Sequence, residues 1–347
     1  MTPSASVSTD PLATKVARLP RLAESSAVAQ LSVDADESRP SIGGYELLAR
    51  VESSAAHDVF VGVRRARWEQ ARRAFVKVAF RHKPHYGARA DMLFDEASAL
   101  SALDHPNIVR LIEVEEHEVG ALLASEFVDG VDLGRLSRRL QAAGRRMPSE
   151  LAVHVVIEVL RGLAHAHQAE TLAKEPLEIV HRDVNPANVL LSRSGHVRLA
   201  DFGLVKMKDR LQAPTRPGMV KGKFRFMAPE YIEEQTISRS VDIYGVGIML
   251  FELLVGGPWT HERDVVKLMR RIVQHGLPMV DLENARVPPE LVGIVALATD
   301  RAQERRFGAA TDMASALEAW LMQRGSYVSP STLAAFVTAP IVAHHVR

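Results

Sequence analysis

Several charged and amide side chains follow one another along the chain, each beside an apolar segment. Lys77 lies inside the apolar run Ala74–Val78, and Glu96 follows on a segment with helical periodicity. Residues 181–188 read HRDVNPAN, and Asp201 begins the triplet DFG. A lysine can neutralise phosphate charge, and carboxylate and amide oxygens are hard ligands of the kind that Mg²⁺ prefers. Residues of these types are suited to binding a negatively charged group together with a hard cation.

Short apolar or alternating runs surround the first of these residues and predict a small strand-rich lobe. Between them, residues 91–103 carry Leu93, Ala97, Leu100 and Leu103 at helical spacing, which predicts a helix under Glu96. The predicted strands are Tyr45–Val51, Val59–Val63, Ala74–Phe80, Ile108–Val114 and Ala121–Phe127.

Beyond Gly130 the pattern becomes helical. Leu151, Val155, Val159 and Leu163 recur every four residues, which predicts one helix. Residues 241–255 are apolar nearly all round, which indicates a helix buried inside a larger lobe. Further helices are predicted at 264–275, 289–299 and 311–324.

One more triplet, Ala228-Pro229-Glu230, lies 25 residues beyond Gly203. Together with Lys77, Glu96, the HRDVNPAN run and DFG, it makes residues 45–321 resemble the protein kinase family, in particular bacterial members of the eukaryotic-type serine/threonine class. The resemblance implies an α+β fold with a small β-rich lobe (44–126), a hinge (126–130) and a larger, mainly helical lobe (131–324).

The resemblance also implies roles for individual residues. Lys77 would contact the α- and β-phosphates of ATP while Glu96 holds its ammonium, and Asp183 would accept the proton of a serine or threonine hydroxyl on a protein substrate. The expected catalytic residues are Asp183, Lys77, Glu96 and Asn185, and the expected Mg²⁺ ligands are Asn188 and Asp201. Nucleotide contacts are expected from Val51, Val59, Lys77, Glu126, Val128 and Leu190. Arg182 and a phosphorylated Thr215 are expected to be regulatory, and Glu230 and Arg306 to form a structural ion pair.

The chain departs from the family pattern around the nucleotide. The run at 52–59, ESSAAHDV, has no glycine where the family has a glycine-rich turn, although backbone amides that approach phosphates favour glycine. Phe75 replaces a small residue above the adenine, a crowding that costs about 1–3 kcal/mol if nothing compensates. Ser125, at the back of the pocket, is small enough to compensate. Asn185 and Lys223 replace the usual lysine and threonine.

Two functions are alternatives to that of a protein kinase. The glycine-free loop and Phe75 favour a pseudokinase, a binding or scaffold module on the same fold. A small-molecule phosphotransferase is disfavoured by the Ala-Pro-Glu triplet and Arg306.

Composition restricts the partners and the location. Lys+Arg 43 against Asp+Glu 42 gives no support for a nucleic-acid partner, and the absence of Cys excludes disulfides and cysteine nucleophiles. No segment is apolar for long enough to span a bilayer, so a cytoplasmic protein is expected. Residues 1–43 are expected to be a disordered leader, since their composition lacks sustained periodicity. Residues 325–347 are expected to be a tail whose apolar stretch at 333–337 can dock as a helix.

Overall fold

The structure is a computed structural model that describes residues 11–21, 36, 38–53, 57–64, 71–171, 173–202, 224–233 and 235–340. It divides into two compact units. The smaller comprises residues 1–97 and 110–129, and the larger comprises residues 98–109 and 130–347.

The smaller unit is built on a six-stranded sheet in which every neighbouring pair is antiparallel, in the order β1-β2-β3-β4-β6-β5. Its strands are β1 (Ser41–Ile42), β2 (Tyr45–Ser53), β3 (Asp58–Arg64), β4 (Arg72–Phe80), β5 (Leu111–His117) and β6 (Gly120–Glu126).

Alternation along β4 gives the sheet two different faces. Ala74, Val76 and Val78 are buried on one face, whereas Phe75 and Lys77 are half-buried on the other. Successive side chains of a strand point to opposite faces, so Phe75 and Lys77 share the less covered face. Helix α2 (Tyr86–Ser101), which follows β4, carries Glu96.

The described part of the first 43 residues differs from the disordered leader that the sequence predicts. A short helix, α1 (Pro11–Ala17), places Val16 in the buried cluster of the sheet. Beyond it, the amide of Arg50 on β2 donates to the carbonyl of Pro20 at 2.9 Å. Val16 becomes ordered because it packs on an apolar surface of the sheet, which the first 43 residues cannot provide by themselves.

The larger unit is mainly helical and has its own three-stranded sheet, ordered β7-β8-β9. Helix α6 (Ser240–Val255) is buried over nearly its whole surface, as its all-round apolar sequence predicts, and ends at Gly256 with φ 87°. The other elements are β7 (Gly130–Asp132), α3 (Leu133–Ala142), α4 (Ser149–His167), β8 (Val189–Ser192), β9 (Val197–Leu199), α5 (Pro229–Ile232), α7 (Val265–His275), α8 (Val280–Asn284), α9 (Pro289–Ala298), α10 (Ala310–Gln323) and α11 (Pro330–Thr338).

A β-rich unit and a mainly helical unit confirm the α+β class. Among the described residues, no helix is long and apolar enough to cross a membrane.

Candidate active site

Lys77 and Glu96 form an ion pair within the smaller unit. The Nζ atom of Lys77 donates to both carboxylate oxygens of Glu96, at 2.6 Å and 2.8 Å. Glu96 is buried and Lys77 is nearly so, with 3% and 13% of their side chains exposed. Strand β4 and helix α2 therefore hold the ammonium of Lys77 against the carboxylate of Glu96, the pairing that the sequence predicts.

The same face of the sheet carries an aromatic pair. The rings of Phe75 and Phe127 lie 5.1 Å apart, and both pack with Val51 against a small buried cluster. Phe75 is directly opposite Ser125 on β6, and Ser125 is buried. The large side chain at position 75 thus stands beside a small one at position 125.

The remaining residues expected to contact the nucleotide are only partly buried. Val59 is half-buried directly opposite Lys77 on β3, and Glu126 and Val128 are half-buried at the end of β6 and beyond it. Leu190 is half-buried on β8 of the larger unit. Residues 54–56, the middle of the glycine-free run, lie outside the described residues.

Asp183 lies in the loop before β8, and two asparagine amides hold its carboxylate. Asn185 Nδ2 donates to Asp183 Oδ1 at 2.8 Å, and Asn188 Nδ2 donates to Asp183 Oδ2 at 3.1 Å. The same two amides donate to the carbonyl of Asp183, at 2.9 Å and 2.8 Å. Oδ1 of Asn185 accepts from the amide of Ala187, which caps the 3-10 turn Pro186–Asn188. The orientation of Asp183 is therefore set by hydrogen bonds inside its own loop.

Asp242, at the start of the buried helix α6, anchors that loop. Its carboxylate accepts from the backbone amides of His181 and Arg182, at 2.9 Å and 2.7 Å, and contacts Nε2 of His167 at 2.8 Å. Burial by itself raises the pKa of Asp242, but the hydrogen bond and charge of His167, together with the backbone amide of His181, leave this pKa below its ordinary value. The carboxylate is thus held in its charged form.

His181 connects the loop to the segment after β9. Its Nδ1 accepts from the amide of Asp183 at 3.3 Å, so its Nε2 carries the proton that is donated to the carbonyl of Ala200 at 3.0 Å. Its ring lies against Phe202, with centroids 4.6 Å apart. Phe202 of DFG is therefore packed on the loop that carries Asp183.

The hairpin β8–β9 brings Asn188 and Asp201 to one end. Asn188 precedes β8, Asp201 follows β9, and the amide of Ala200 closes this end by donating to the carbonyl of Asn188 at 2.9 Å. Arg182 and Asp201 have positive φ angles, 62° and 71°, which non-glycine residues adopt at some energetic cost and which cluster at functional sites.

The chemistry of this end of the hairpin fits a hard divalent cation. Asp201 offers a carboxylate, and Asn188 uses its NH₂ group on Asp183, so its amide oxygen is the atom that can coordinate a cation. Among the described residues, no three His, Asp or Glu side chains cluster as a metal site by themselves. A cation here would therefore need ligands from a bound phosphate or from water, which is how Mg²⁺ is commonly held.

A family model described as the protein kinase domain matches residues 60–316. The chain belongs to the protein kinase family. The family that the motifs predict is therefore confirmed. Many relatives are bacterial kinases, and their names differ in whether they specify serine/threonine or tyrosine as the residue that is phosphorylated.

The tyrosine-protein kinase MasK of Myxococcus xanthus is 31% identical over 299 residues, which cover 85% of this chain and 46% of that protein. The serine/threonine-protein kinase PrkC of Bacillus subtilis is 30% identical over 218 residues, covering 63% of this chain and 32% of PrkC. PknL of Mycobacterium tuberculosis, also named a serine/threonine-protein kinase, is 32% identical over 225 residues, covering 65% and 53%. The chain thus spans between about a third and about half of the length of these relatives.

Among solved structures, a mutant form of the kinase domain of Mycobacterium tuberculosis PknI matches with a TM-score of 0.59 and 22% identity. The match covers 82% of this chain and 99% of that one. At this identity, the likeness supports the protein kinase fold alone.

In this kinase domain the Ala-Pro-Glu glutamate is paired as the sequence predicts. Arg306 binds Glu230 through two hydrogen bonds, at 2.6 Å and 2.8 Å, and both side chains are buried. The guanidinium also lies over the ring of Tyr244, 4.8 Å from its centroid. The pair joins α5 to the turn before α10.

One contributor to the kinase site escaped the sequence reasoning. Asn107 is buried, its Nδ2 donates to the carbonyl of Val197 at 3.0 Å and to Glu158 at 2.8 Å, and its own carbonyl accepts from Leu199 at 2.8 Å. It anchors β9, which leads to Asp201. A polar residue in a loop carries no periodic signal, so only its position before the predicted strand at 108–114 could have drawn attention to it.

Three expected features of the kinase fall on residues 203–223, which lie outside the described residues. They are Gly203 of DFG, Thr215, and Lys223 in place of the usual threonine.

Proposed function

We propose that this chain is a protein kinase that uses ATP and Mg²⁺ to phosphorylate serine or threonine hydroxyls of protein substrates. The observation that carries the proposal is the Asp183 carboxylate, whose two oxygens accept hydrogen bonds from the side-chain amides of Asn185 and Asn188. A carboxylate held in this way is oriented before an acceptor hydroxyl binds, so little reorganisation is needed for it to receive the proton of that hydroxyl.

The proposed step is a direct phosphoryl transfer. The acceptor hydroxyl loses its proton to Asp183 as its oxygen forms a bond to the γ-phosphorus, and the bond from that phosphorus to the leaving ADP oxygen breaks. Lys77 neutralises charge on the α- and β-phosphates, and Glu96 keeps its ammonium in one place. Bound Mg²⁺ would neutralise phosphate charge, and Asn188 and Asp201 are the residues that would hold it.

The loop around Asp183 favours serine and threonine over tyrosine as acceptors. After Asp183 it reads VNPAN, without the Ala-Ala-Arg-Asn or Arg-Ala-Ala-Asn run that resembles tyrosine kinases. The name of MasK makes tyrosine the alternative acceptor to be tested.

A pseudokinase is the second candidate, and the packing of Phe75 favours it. Phe75, Phe127 and Val51 form one apolar group on the face of the sheet that also carries Lys77. In that case the domain would act as a binding module, and nucleotide would bind weakly or not at all.

Two measurements separate these candidates. In a thermal unfolding titration, ATP with Mg²⁺ should raise the midpoint, because a ligand that binds only the folded state stabilises it. With radiolabelled ATP and mixed Ser, Thr and Tyr peptides, we expect label on phosphoserine and phosphothreonine, and a loss of about hundredfold or more in Asp183→Asn. Equal labelling by wild type and Asp183→Asn contradicts catalysis, and label on tyrosine alone contradicts the acceptor class.

Activation is proposed to involve Thr215 and Arg182. A phosphate on Thr215 can form charge-assisted hydrogen bonds with an arginine, and Thr215 is the hydroxyl residue between Leu204 and Met227. Phosphopeptide mapping of active protein should find Thr215 modified; unmodified Thr215 in fully active protein contradicts this role.

A further inference from the structure

The C-terminal segment beyond the family match has a defined structure in the larger unit. The family model ends at residue 316, within α10. Gly325, with φ 60°, follows α10, and the amide of Ser326 donates to the carbonyl of Leu321 at 3.0 Å. Ser329 then caps α11 by accepting from the amide of Thr332 at 3.1 Å. Local signals thus end one helix and start another, and α11 lies beyond the residues that the family model matches.

Helix α11 packs on β8 of the hairpin that carries Asn188 and Asp201. Leu333, on α11, is completely buried. Burial of this side chain removes apolar surface from water and therefore stabilises the docked position of α11.

The turn of the hairpin is shaped to receive this segment. Gly195, buried and with φ 82°, lies so close to Pro330 that a Cβ atom at position 195 would be 1.7 Å from the Pro330 carbonyl oxygen. The turn itself is closed by Ser192, whose amide donates to the carbonyl of His196 at 2.8 Å and whose Oγ accepts from the amide of His196 at 2.8 Å. Glycine is needed here for close approach as well as for backbone conformation.

We propose that residues 325–340 act as a clamp on the β8–β9 hairpin and thereby position Asn188 and Asp201 at its other end. The clamp rests on two contacts, Pro330 on Gly195 and the buried Leu333. The hairpin is only four residues long on β8 and three on β9, and the third strand of its sheet, β7, is also three residues long. Strands this short depend on packing against other elements for their stability. The second half of the proposal, the effect on the metal ligands, rests on the proposed function.

The clamp is tested in the full chain with a double-mutant cycle. Gly195→Ala introduces both a strained φ and the collision with Pro330, whereas Gly144→Ala introduces a similar strain at φ 65° with no atom within 4 Å. We expect Gly195→Ala to lower the unfolding midpoint by about 2–4 °C more than Gly144→Ala. When Leu333→Ala has already loosened α11, this excess should disappear, because Gly195 lies against Pro330 of the same helix and both substitutions weaken the docking of that helix.

Hydrogen exchange supplies a readout that does not depend on nucleotide. The amides of Ser192 and His196 should exchange about tenfold faster in Gly195→Ala and Leu333→Ala than in Gly144→Ala, since local opening controls their exchange. The clamp would be overturned if the effects of Gly195→Ala and Leu333→Ala on stability simply add, or if exchange at these two amides is unchanged.

The effect on the metal ligands is measured separately. We expect the Mg²⁺ concentration that gives half of the ATP-induced thermal shift to rise several-fold in Leu333→Ala and to stay at the wild-type value in Gly144→Ala. Unchanged Mg²⁺ dependence would overturn the positioning role while leaving the clamp intact. If wild type shows no response to ATP and Mg²⁺, the proposed function fails, and the exchange and stability results still decide the clamp.

Discussion

The side-chain amide of Asn185 donates a hydrogen bond of 2.8 Å to the carboxylate of Asp183. In the family pattern a lysine at this position steadies the γ-phosphate, but asparagine brings no charge and has its NH₂ group bonded to Asp183. Asn185 is therefore expected to act by orienting Asp183 and not by contacting phosphate.

The substitution Asn185→Ala should lower kcat about 10- to 100-fold and change the KM for ATP little. The reason is that a hydrogen bond to a charged group contributes about 1.5–3 kcal/mol. Steady-state kinetics check this, with thermal unfolding as the control for loss of the cap on Ala187. Asn185→Asp should be more damaging, because it places a second carboxylate beside Asp183, and an Asn185→Asp variant with wild-type activity contradicts the assignment.

The substitution Lys77→Met should destabilise the smaller unit and remove its response to ATP. Glu96 is 3% exposed, and removal of one partner leaves a buried charge uncompensated, at a cost of about 3–5 kcal/mol. The matched control is Arg81→Ala, which breaks an exposed pair with Glu116 and should cost less than about 1 kcal/mol. Urea unfolding of both variants checks the difference, and equal costs would contradict the proposed burial of the pair.

The substitution Phe75→Ala should tighten ATP binding about tenfold, since it removes the ring that crowds the expected adenine position. Isothermal titration calorimetry measures the affinity, and Ser125→Ala, directly opposite, is the control that leaves the ring in place. Weaker binding in Phe75→Ala would instead show that the ring forms part of the nucleotide contact.

The substitution Arg306→Lys should destabilise the larger unit by about 1.5–3 kcal/mol, because lysine keeps the positive charge but cannot form both hydrogen bonds to the buried Glu230. Arg305→Lys, one residue earlier on the surface, should change the free energy of unfolding by less than about 0.5 kcal/mol. Chemical denaturation checks both, and a neutral Arg306→Lys would mean that Tyr244 and packing alone hold the segment.

The stability of the larger unit should depend on Asp242 in acid. Its pKa lies below the ordinary value of 3.8, so its contribution is fully present above that pH and is lost as the pH falls through the lower, folded-state pKa. Asp242→Asn should be less stable than wild type at neutral pH, but its free energy of unfolding should decrease less as the pH falls. Unfolding free energies measured between about pH 2 and pH 7 check the sign, and parallel curves for the two proteins would contradict it.

Residue types and their local spacing determined several features of this structure. The buried helix α6 and the periodic α4 follow from their apolar spacing alone, and the pairing of Lys77 with Glu96 and of Glu230 with Arg306 follows from motif order within the family. These features depend on residue types and short-range periodicity, which the linear sequence carries directly.

Only the tertiary structure decided which distant segments meet. The sequence shows that Phe75 is large and Ser125 small, but their direct opposition depends on strand register. The docking of Val16 on the sheet and of α11 against Gly195 depends on surfaces built by residues far away in the chain. Such contacts leave no periodic pattern in the segments that make them, because the stabilising free energy arises only when both surfaces exist.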